Sequence, residues 1–317
     1  MTAPARPRLI VNPCSGGGKT GATFDAMRGP IEAALGEIDV VHTGRGGHAI
    51  ELARDAANDG APLVIAMGGD GTINEVANGI LAAKDAGPRP HLGIIGQGTG
   101  GDFRKVLGLE HRLDRYLEAI KRETTRNLDV GRIRYTTPDG KTAERYFVNI
   151  LSAGMGGLVD RYVADASRAL GGKAAYFGAS LRALATCKEG RLTCRITAPD
   201  GTVSERKIRT YMIALCNGRY FGSGMDVAPM AAIDDGALEV VSIGGASKLA
   251  FAMTSRKIYD GGHLAHPSTA HFRCKKIAID LENEDARSVF LLDCDGEPIG
   301  GLPIEVEVLP AALTVRA

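Results

Sequence analysis

The sequence predicts a chain of the α/β class: an α/β domain of alternating strands and helices followed by a β-rich, sandwich-like second domain. Three observations carry that prediction. Leu63, Val64, Ile65, Ala66 and Met67 form a continuous apolar run, as expected of a strand buried on both faces of a parallel sheet. It ends in Gly68-Gly69-Asp70-Gly71-Thr72, and Thr72 opens a helix whose Ile73, Val76, Ala77, Ile80 and Leu81 recur on one face. Glycine-rich turns recur at 12–20 and 96–103, again behind short apolar runs, and in open α/β sheets such turns converge on one crevice. After about Gly131 the βα alternation gives way to short alternating strands, which marks the domain boundary.

Taken in order, the chain begins with a brief strand at 8–11 and the loop Asn12-Pro13-Cys14-Ser15-Gly16-Gly17-Gly18-Lys19-Thr20. Gly18-Lys19-Thr20 would close a Walker A loop, but the glycine needed five places earlier is Pro13. Gly16, Gly18 and Gly21 fit G-x-G-x-x-G, yet the next strand-like run, 38–41, ends in His42-Thr43 with no ribose-binding acid. What remains is a glycine loop with Asn12, Ser15 and Lys19 as polar partners, suited to phosphates, or else a plain connection. A second glycine-bearing turn, 43–47, leads to a helix over 48–59 with Ile50, Leu52, Ala53 and Ala56 inward. In the central unit, a strand, a glycine turn and a helix N-terminus together make an anion site. Asp70 would repel that anion unless a divalent cation lies between them; the plainer alternative is a helix cap. A strand at 91–95 precedes the third glycine turn, 112–121 reads as a helix, and 126–131 brings a further acid, Asp129.

In the second domain a helical portion surrounds Tyr176, Phe177, Leu181 and Leu184. The run 191–197 alternates, Pro199-Asp200-Gly201 turns, and 207–216 returns as the partner strand. Further strands are expected at 235–241, 272–281, 289–292 and 304–309, with a helix over 246–259. Asp293-Cys294-Asp295-Gly296-Glu297 makes a tight acidic turn before the last strand.

Composition narrows the function classes. The 317 residues suffice for two substantial cores. With 38 basic and 37 acidic residues the net charge is +1, so no nucleic-acid partner is expected. Six cysteines without C-x-x-C spacing, and a polar lead without an apolar h-region, point to a reduced cytoplasmic compartment. No run approaches the roughly 18 apolar residues of a membrane span, so any membrane contact is expected to be peripheral.

With N-P-x-S-G at 12–16, GGDGT at 68–72, GTxxDF at 98–103 and D-G-E at 295–297, the chain resembles the diacylglycerol kinase catalytic family. The closer likeness is to the soluble bacterial lipid kinases of that family, which are similar to sphingosine and ceramide kinases and more distantly to NAD kinases. RYFVNILSAGMGG at 145–157, NGRYFGSGMDVAP at 217–229 and DGAL at 235–238 extend the likeness nearly end to end. The resemblance implies a Rossmann-like nucleotide domain (1–133 plus 306–317), a β-rich lipid-substrate domain (134–305), and an ATP cleft between them. It further implies that Asn12, Pro13, Cys14, Ser15, Gly16, Thr43, Gly68, Gly69, Asp70, Gly71, Thr72, Ile73, Asn74 and Thr99 line ATP. Asp70, Asp102 and Asp129 would hold the nucleotide's Mg²⁺, and Asp235, with carbonyls near Ala232 and Ala237, a separate structural Mg²⁺.

The activity implied is transfer of the γ-phosphate of ATP to a lipid alcohol, a diacylglycerol-like acceptor reached by peripheral contact with the membrane. Glu297 or Asp295 would serve as base there, Glu297 being preferred with Asp295 and Asp70 in support. A ceramide or sphingoid-base kinase, a soluble NAD-kinase-like enzyme and a catalytically silent nucleotide-binding regulator are the alternatives, and a homodimer is an open expectation. Two departures from the family pattern stand out: Gly96 replaces the usual Pro and Gly101 the usual Asn. Phe177, Leu181, Leu184, Tyr220, Phe221 and Met225 are candidates for an acyl pocket, or ordinary core. His263, His266 and His271 lack the company a zinc site needs.

Overall fold

The computed structural model describes residues 6–84, 87–98, 100–122, 124–137, 139–165, 172–245 and 247–317, with side chains omitted at 164–165 and 172–177. The chain divides into two compact units, Met1–Leu128 with Ala311–Ala317, and Asp129–Pro310.

The first unit is built from β1 (Arg8–Val11), α1 (Lys19–Leu35), β2 (Asp39–His42), α2 (His48–Asn58), β3 (Leu63–Gly68), α3 (Asp70–Leu81), β4 (His91–Gly96), α4 (Asp102–Val106) and α5 (Leu113–Lys121). Its strands are parallel in the order β4-β3-β1-β2, and the returning Val315 pairs beside Leu92 of β4. Every residue of β3 is buried, as its unbroken apolar run requires. The α3 helix starts at Asp70, two residues before the expected Thr72, and buries Thr72 to Asn74 and all of 76–81. It is therefore enclosed rather than striped: α2 packs so closely that a Cβ on Gly79 would fall 2.6 Å from Ala53 Cβ.

The second unit begins in β5 (Thr125–Thr136) and continues through β6 (Thr142–Phe147), β7 (Ile150–Gly154), α6 (Met155–Asp165), α7 (Gly172–Thr186), β8 (Gly190–Thr197), β9 (Val203–Thr210) and β10 (Met212–Cys216). There follow the short pair β11 (Tyr220–Phe221) and β12 (Met225–Asp226), then β13 (Leu238–Ile243), α8 (Lys248–Ser255), β14 (Thr269–Cys274), β15 (Lys276–Leu281), β16 (Leu291–Cys294) and β17 (Glu297–Arg316). Antiparallel neighbours run β14-β13-β10-β7-β16-β17, with β15, β8 and β9 continuing from β17 and β5 pairing with both β17 and β6.

Alternation along β10 shows how the layers form. Ile213 and Leu215 face an inner core shared with Leu192 and Ile196 of β8, Ile277 and Ile279 of β15 and Ile304 and Val306 of β17. Met212, Ala214 and Cys216 face outward, under Leu158 of α6, Ala179 and Ala183 of α7 and Phe251 of α8. The one continuous sheet thus folds over this inner core, and helices cover part of its outer face.

Three sequence expectations change here. The run 207–216 is not one strand: β9 pairs with β8, whereas β10 pairs with β7 and β13. Thr210 Oγ1 donates to the Met212 and Ile243 carbonyls across that break, and local alternation carries no sign of it. The run 272–281 likewise divides at Lys275 into β14 and β15. The α6 helix follows directly on β7 and was not anticipated, because Gly156 and Gly157 stand in its first turn.

Candidate active site

Each unit carries its own part of the candidate machinery. In the first, the three glycine turns follow β1, β3 and β4 at the same end of a parallel sheet. Asn12 Nδ2 donates to Thr72 Oγ1 at 2.9 Å, the Gly69 amide donates to Ser15 Oγ at 3.3 Å, and the Gln97 amide donates to the Gly68 carbonyl at 2.7 Å. These approaches leave no room for side chains: a Cβ on Gly98 would lie 2.6 Å from Gly69 Cα, and one on Gly16 2.8 Å from the Gln97 carbonyl. Thr43 follows β2, its amide bonded to the Val11 carbonyl at 2.9 Å. Cys14 is exposed. Ile73 and Asn74, placed with the ATP-lining residues on sequence, are fully buried, and Asn74 Oδ1 accepts from Asn78 Nδ2 at 3.1 Å. Thr99 lies outside the described residues.

Asp70 sits where two helices begin. Its carboxylate accepts the amides of Asp102 and Phe103, both at 3.2 Å, so it caps α4 while opening α3. Burial raises its pKa, the charge of Asp102 adds to the rise, and the donated amides oppose it. Asp102 is itself buried, with Lys105 Nζ 2.8 Å away. Two hard oxygen donors at adjoining helix starts fit a divalent cation.

Both departures from the family pattern have local causes. A Cβ on Gly96 would stand 2.7 Å from Tyr116 Oη, which also bonds His111 Nδ1 at 3.0 Å, so the buried tyrosine fills the place a proline ring would need. Burial pushes that phenol up to about 12. Gly101 has φ 60° and ψ 40°, a left-handed conformation that Asn also tolerates, so the turn survives the exchange. Arg104 Nε lies 3.1 Å from where a Cβ at Gly101 would be.

In the second unit, the acidic turn is a two-residue hairpin joining β16 to β17. Asp295 has φ 51° and Gly296 φ 88°, the pattern of a type I′ turn. That backbone aims the Asp295 carboxylate at the entry to β7, where it accepts amides from Val148 at 2.8 Å, Asn149 at 3.1 Å and Ile150 at 2.8 Å. Glu297, half-buried, is the first residue of β17, opposite Cys294.

Behind the turn lies an acidic pair that sequence reasoning missed. Gly157 brings α6 against the Leu291 backbone, and one turn later Asp160 shares a hydrogen bond with Asp293 of β16. Asp293 also accepts from the Gly296 amide at 2.7 Å and Ser152 Oγ at 3.3 Å. Burial raises both carboxyls, Asp160 to about 6 and Asp293 well above its ordinary value, with Asp160's charge next in order for Asp293. The only sequence signal was a carboxylate three places after the GMGG run.

Because the folded pKa of Asp160 exceeds its ordinary 3.8, the native state binds more protons than the unfolded chain between that value and about 6. Its contribution to stability therefore declines as pH rises through that window and stays unfavourable above it, by up to about 3 kcal/mol. Asp160→Asn is expected to raise the unfolding midpoint at pH 8 and leave it near the parent's at pH 4. Parallel melts at the two pH values check this; an equal shift at both would remove the titration argument.

Asp129, grouped by sequence with Asp70 and Asp102, lies in the second unit. Its carboxylate accepts the Gly236 amide at 2.6 Å and its own amide donates to the Ile233 carbonyl at 2.7 Å. It thus stands on the loop of Ala232, Asp235 and Ala237. Asp235 accepts from the Ala237 amide at 3.2 Å and pairs with Arg273, so a structural ion there would have to displace that guanidinium. His263, His266 and His271 take separate partners, and the described residues include no group of three or more His, Cys, Asp or Glu poised for a metal. Of the acyl-pocket candidates, Leu184, Phe221 and Met225 pack on the apolar layer under the helices and Leu181 is exposed; the Phe177 side chain is not among those described. Among the described residues no helix is long and apolar enough to cross a membrane.

Comparison with known proteins matches residues 6–133 to the diacylglycerol kinase catalytic domain, and residues 149–317 to the YegS C-terminal NAD kinase beta sandwich-like domain. A probable lipid kinase, YegS-like, of Chromohalobacter salexigens is 30% identical over 91% of this chain and 86% of its own length. Its counterpart in Serratia proteamaculans is 29% identical over 100% and 95%. Among solved structures, a candidate diacylglycerol kinase from Bacillus anthracis superposes with a TM-score of 0.75 at 25% identity, covering 100% of this chain and 98% of that one. Yeast NADH kinase shares the fold, with a TM-score of 0.51 at 12% identity over 97% of this chain and 79% of its own.

Proposed function

The chain belongs to the diacylglycerol kinase catalytic family, with a second domain of the YegS type, and on that premise we propose that it transfers the γ-phosphate of ATP to the hydroxyl of a diacylglycerol-like lipid. The observation that carries this reading is the meeting of three glycine turns at the N-terminus of α3, where Ser15 and Asn12 reach Gly69 and Thr72 and the backbones touch at Gly69 and Gly98. Such a surface offers amide donors and a helix dipole to the phosphates of ATP. Mg²⁺, when bound by Asp70 and Asp102, neutralises charge on the transferring group. Glu297 accepts the proton of the attacking hydroxyl, and Asp295 holds the turn that carries it. The apolar layer around Leu184, Phe221 and Met225 takes the acyl chains.

Transfer of labelled phosphate from ATP and Mg²⁺ to diacylglycerol, ceramide and sphingosine micelles tests this, with NAD as soluble control. Asp70→Asn is the informative variant, since it keeps an acceptor oxygen for the amides of α4 while removing the charge. The expected result is labelled diacylglycerol, with kcat/KM about 10²-fold lower or more in the variant. Labelled NAD and unlabelled lipid would favour a soluble kinase. Nucleotide binding with no labelled acceptor would favour the silent regulator.

A further inference from the structure

The second unit exposes an apolar ridge that nothing in the catalytic reading uses. On α8, Leu249 and Met253 are one turn apart and 71% and 65% exposed, and Tyr259, in the 3₁₀ turn that follows, is 59% exposed. The same segment is anchored from beneath: Phe251, Thr254 and Ile258 are buried, Ser247 caps the helix by accepting the Ala250 amide at 3.2 Å, and Lys248 Nζ donates to the Ala185 carbonyl of α7 at 2.6 Å. The ridge is therefore held out by a packed element. A fourth exposed apolar side chain, Met230, follows Pro229, which closes on Gly261 at the far end of the ridge.

Charge selects the occupant. Arg256 and Lys257, between Met253 and Tyr259, are exposed, and among the described residues neither makes an ion pair; Asp260 is the only acid between Ser247 and His271. In a symmetric pairing of this face each copy would bring two exposed cations but one acid, leaving positive charge unmatched, whereas apolar side chains flanked by cations suit the boundary between acyl chains and anionic headgroups. Position adds an independent argument. Phe251 and Ile258 belong to the same apolar layer as Leu184, Phe221 and Met225, so the ridge is the outer surface of the layer whose inner side takes acyl chains in the reading above. We infer that Leu249, Met253 and Tyr259, with Arg256 and Lys257, dock this chain on an anionic lipid bilayer and present the helix layer to lipid leaving it. The inference rests on the lipid-kinase reading for its purpose, though not for its measurement.

The test is co-sedimentation of the full chain with vesicles of phosphatidylcholine alone or mixed with phosphatidylglycerol. The parent, Leu249→Glu/Met253→Glu and Arg256→Glu/Lys257→Glu are compared, with phosphorylation of lipid in vesicles and in detergent micelles measured alongside. The parent is expected to bind the mixed vesicles more tightly and to lose binding with salt. Each double variant is expected to bind about 30-fold more weakly or worse, with activity lost on vesicles and kept in micelles. No preference for anionic vesicles, or unchanged binding by both variants, would overturn the inference, as would variants that only convert a dimer to a monomer. Vesicle binding lost in the variants while no lipid is phosphorylated in any form would sustain the docking face and remove the kinase reading instead.

Discussion

Glu297→Gln is expected to lower kcat about 10²- to 10⁴-fold while leaving nucleotide affinity and the unfolding midpoint close to the parent's. Three carboxyls crowd this hairpin, and their surroundings assign different work to each. Asp293 is buried, its pKa is pushed well up, and its oxygens are already engaged by Asp160, Ser152 and the Gly296 amide. Asp295 is gripped by three amides, and moving it toward an acceptor would break all three bonds. Glu297 is the half-buried acid on the first residue of the outgoing strand, placed by the turn yet not part of it. Gln keeps the shape and removes the basic oxygen. Single-turnover phosphate transfer alongside equilibrium nucleotide binding separates the two effects; a variant with near-parental kcat would move the base elsewhere.

Asp295→Ala is expected to act mainly on stability, lowering it by about 3–5 kcal/mol. Val148, Asn149 and Ile150 are buried, so their amides cannot turn to water when the carboxylate is gone. An alanine must also hold the left-handed conformation at φ 51° that Asp tolerates better. Asp295→Asn restores one acceptor oxygen and should recover part of the loss. Urea unfolding of the parent and both variants checks the order. If Ala cost no more than about 0.5 kcal/mol, as an ordinary surface exchange does, the three amide bonds would not be the anchor described here.

The parts legible in the chain alone were those whose cause is local. The 63–67 run and the stripe after it encode a buried strand and a helix because burial follows periodicity within a few residues. The glycine turns, the Asp295-Gly296 hairpin and the order of the motifs are likewise written in short words, and they were enough to read the α/β and β-rich domains and the family resemblance. What the tertiary structure decided was partnership across distance. Asp295 reaches amides some 145 residues earlier in the chain. Asp160 acquires its raised pKa only because Gly157 lets α6 settle on β16. Tyr116 occupies the place that Gly96 vacates, Asp129 takes an amide from the distant Asp235 loop, and the run 207–216 divides between two strand pairings. None of these has a local signature. A carboxylate's role is set by how deeply it is buried and which groups face it, and both are properties of the packed chain.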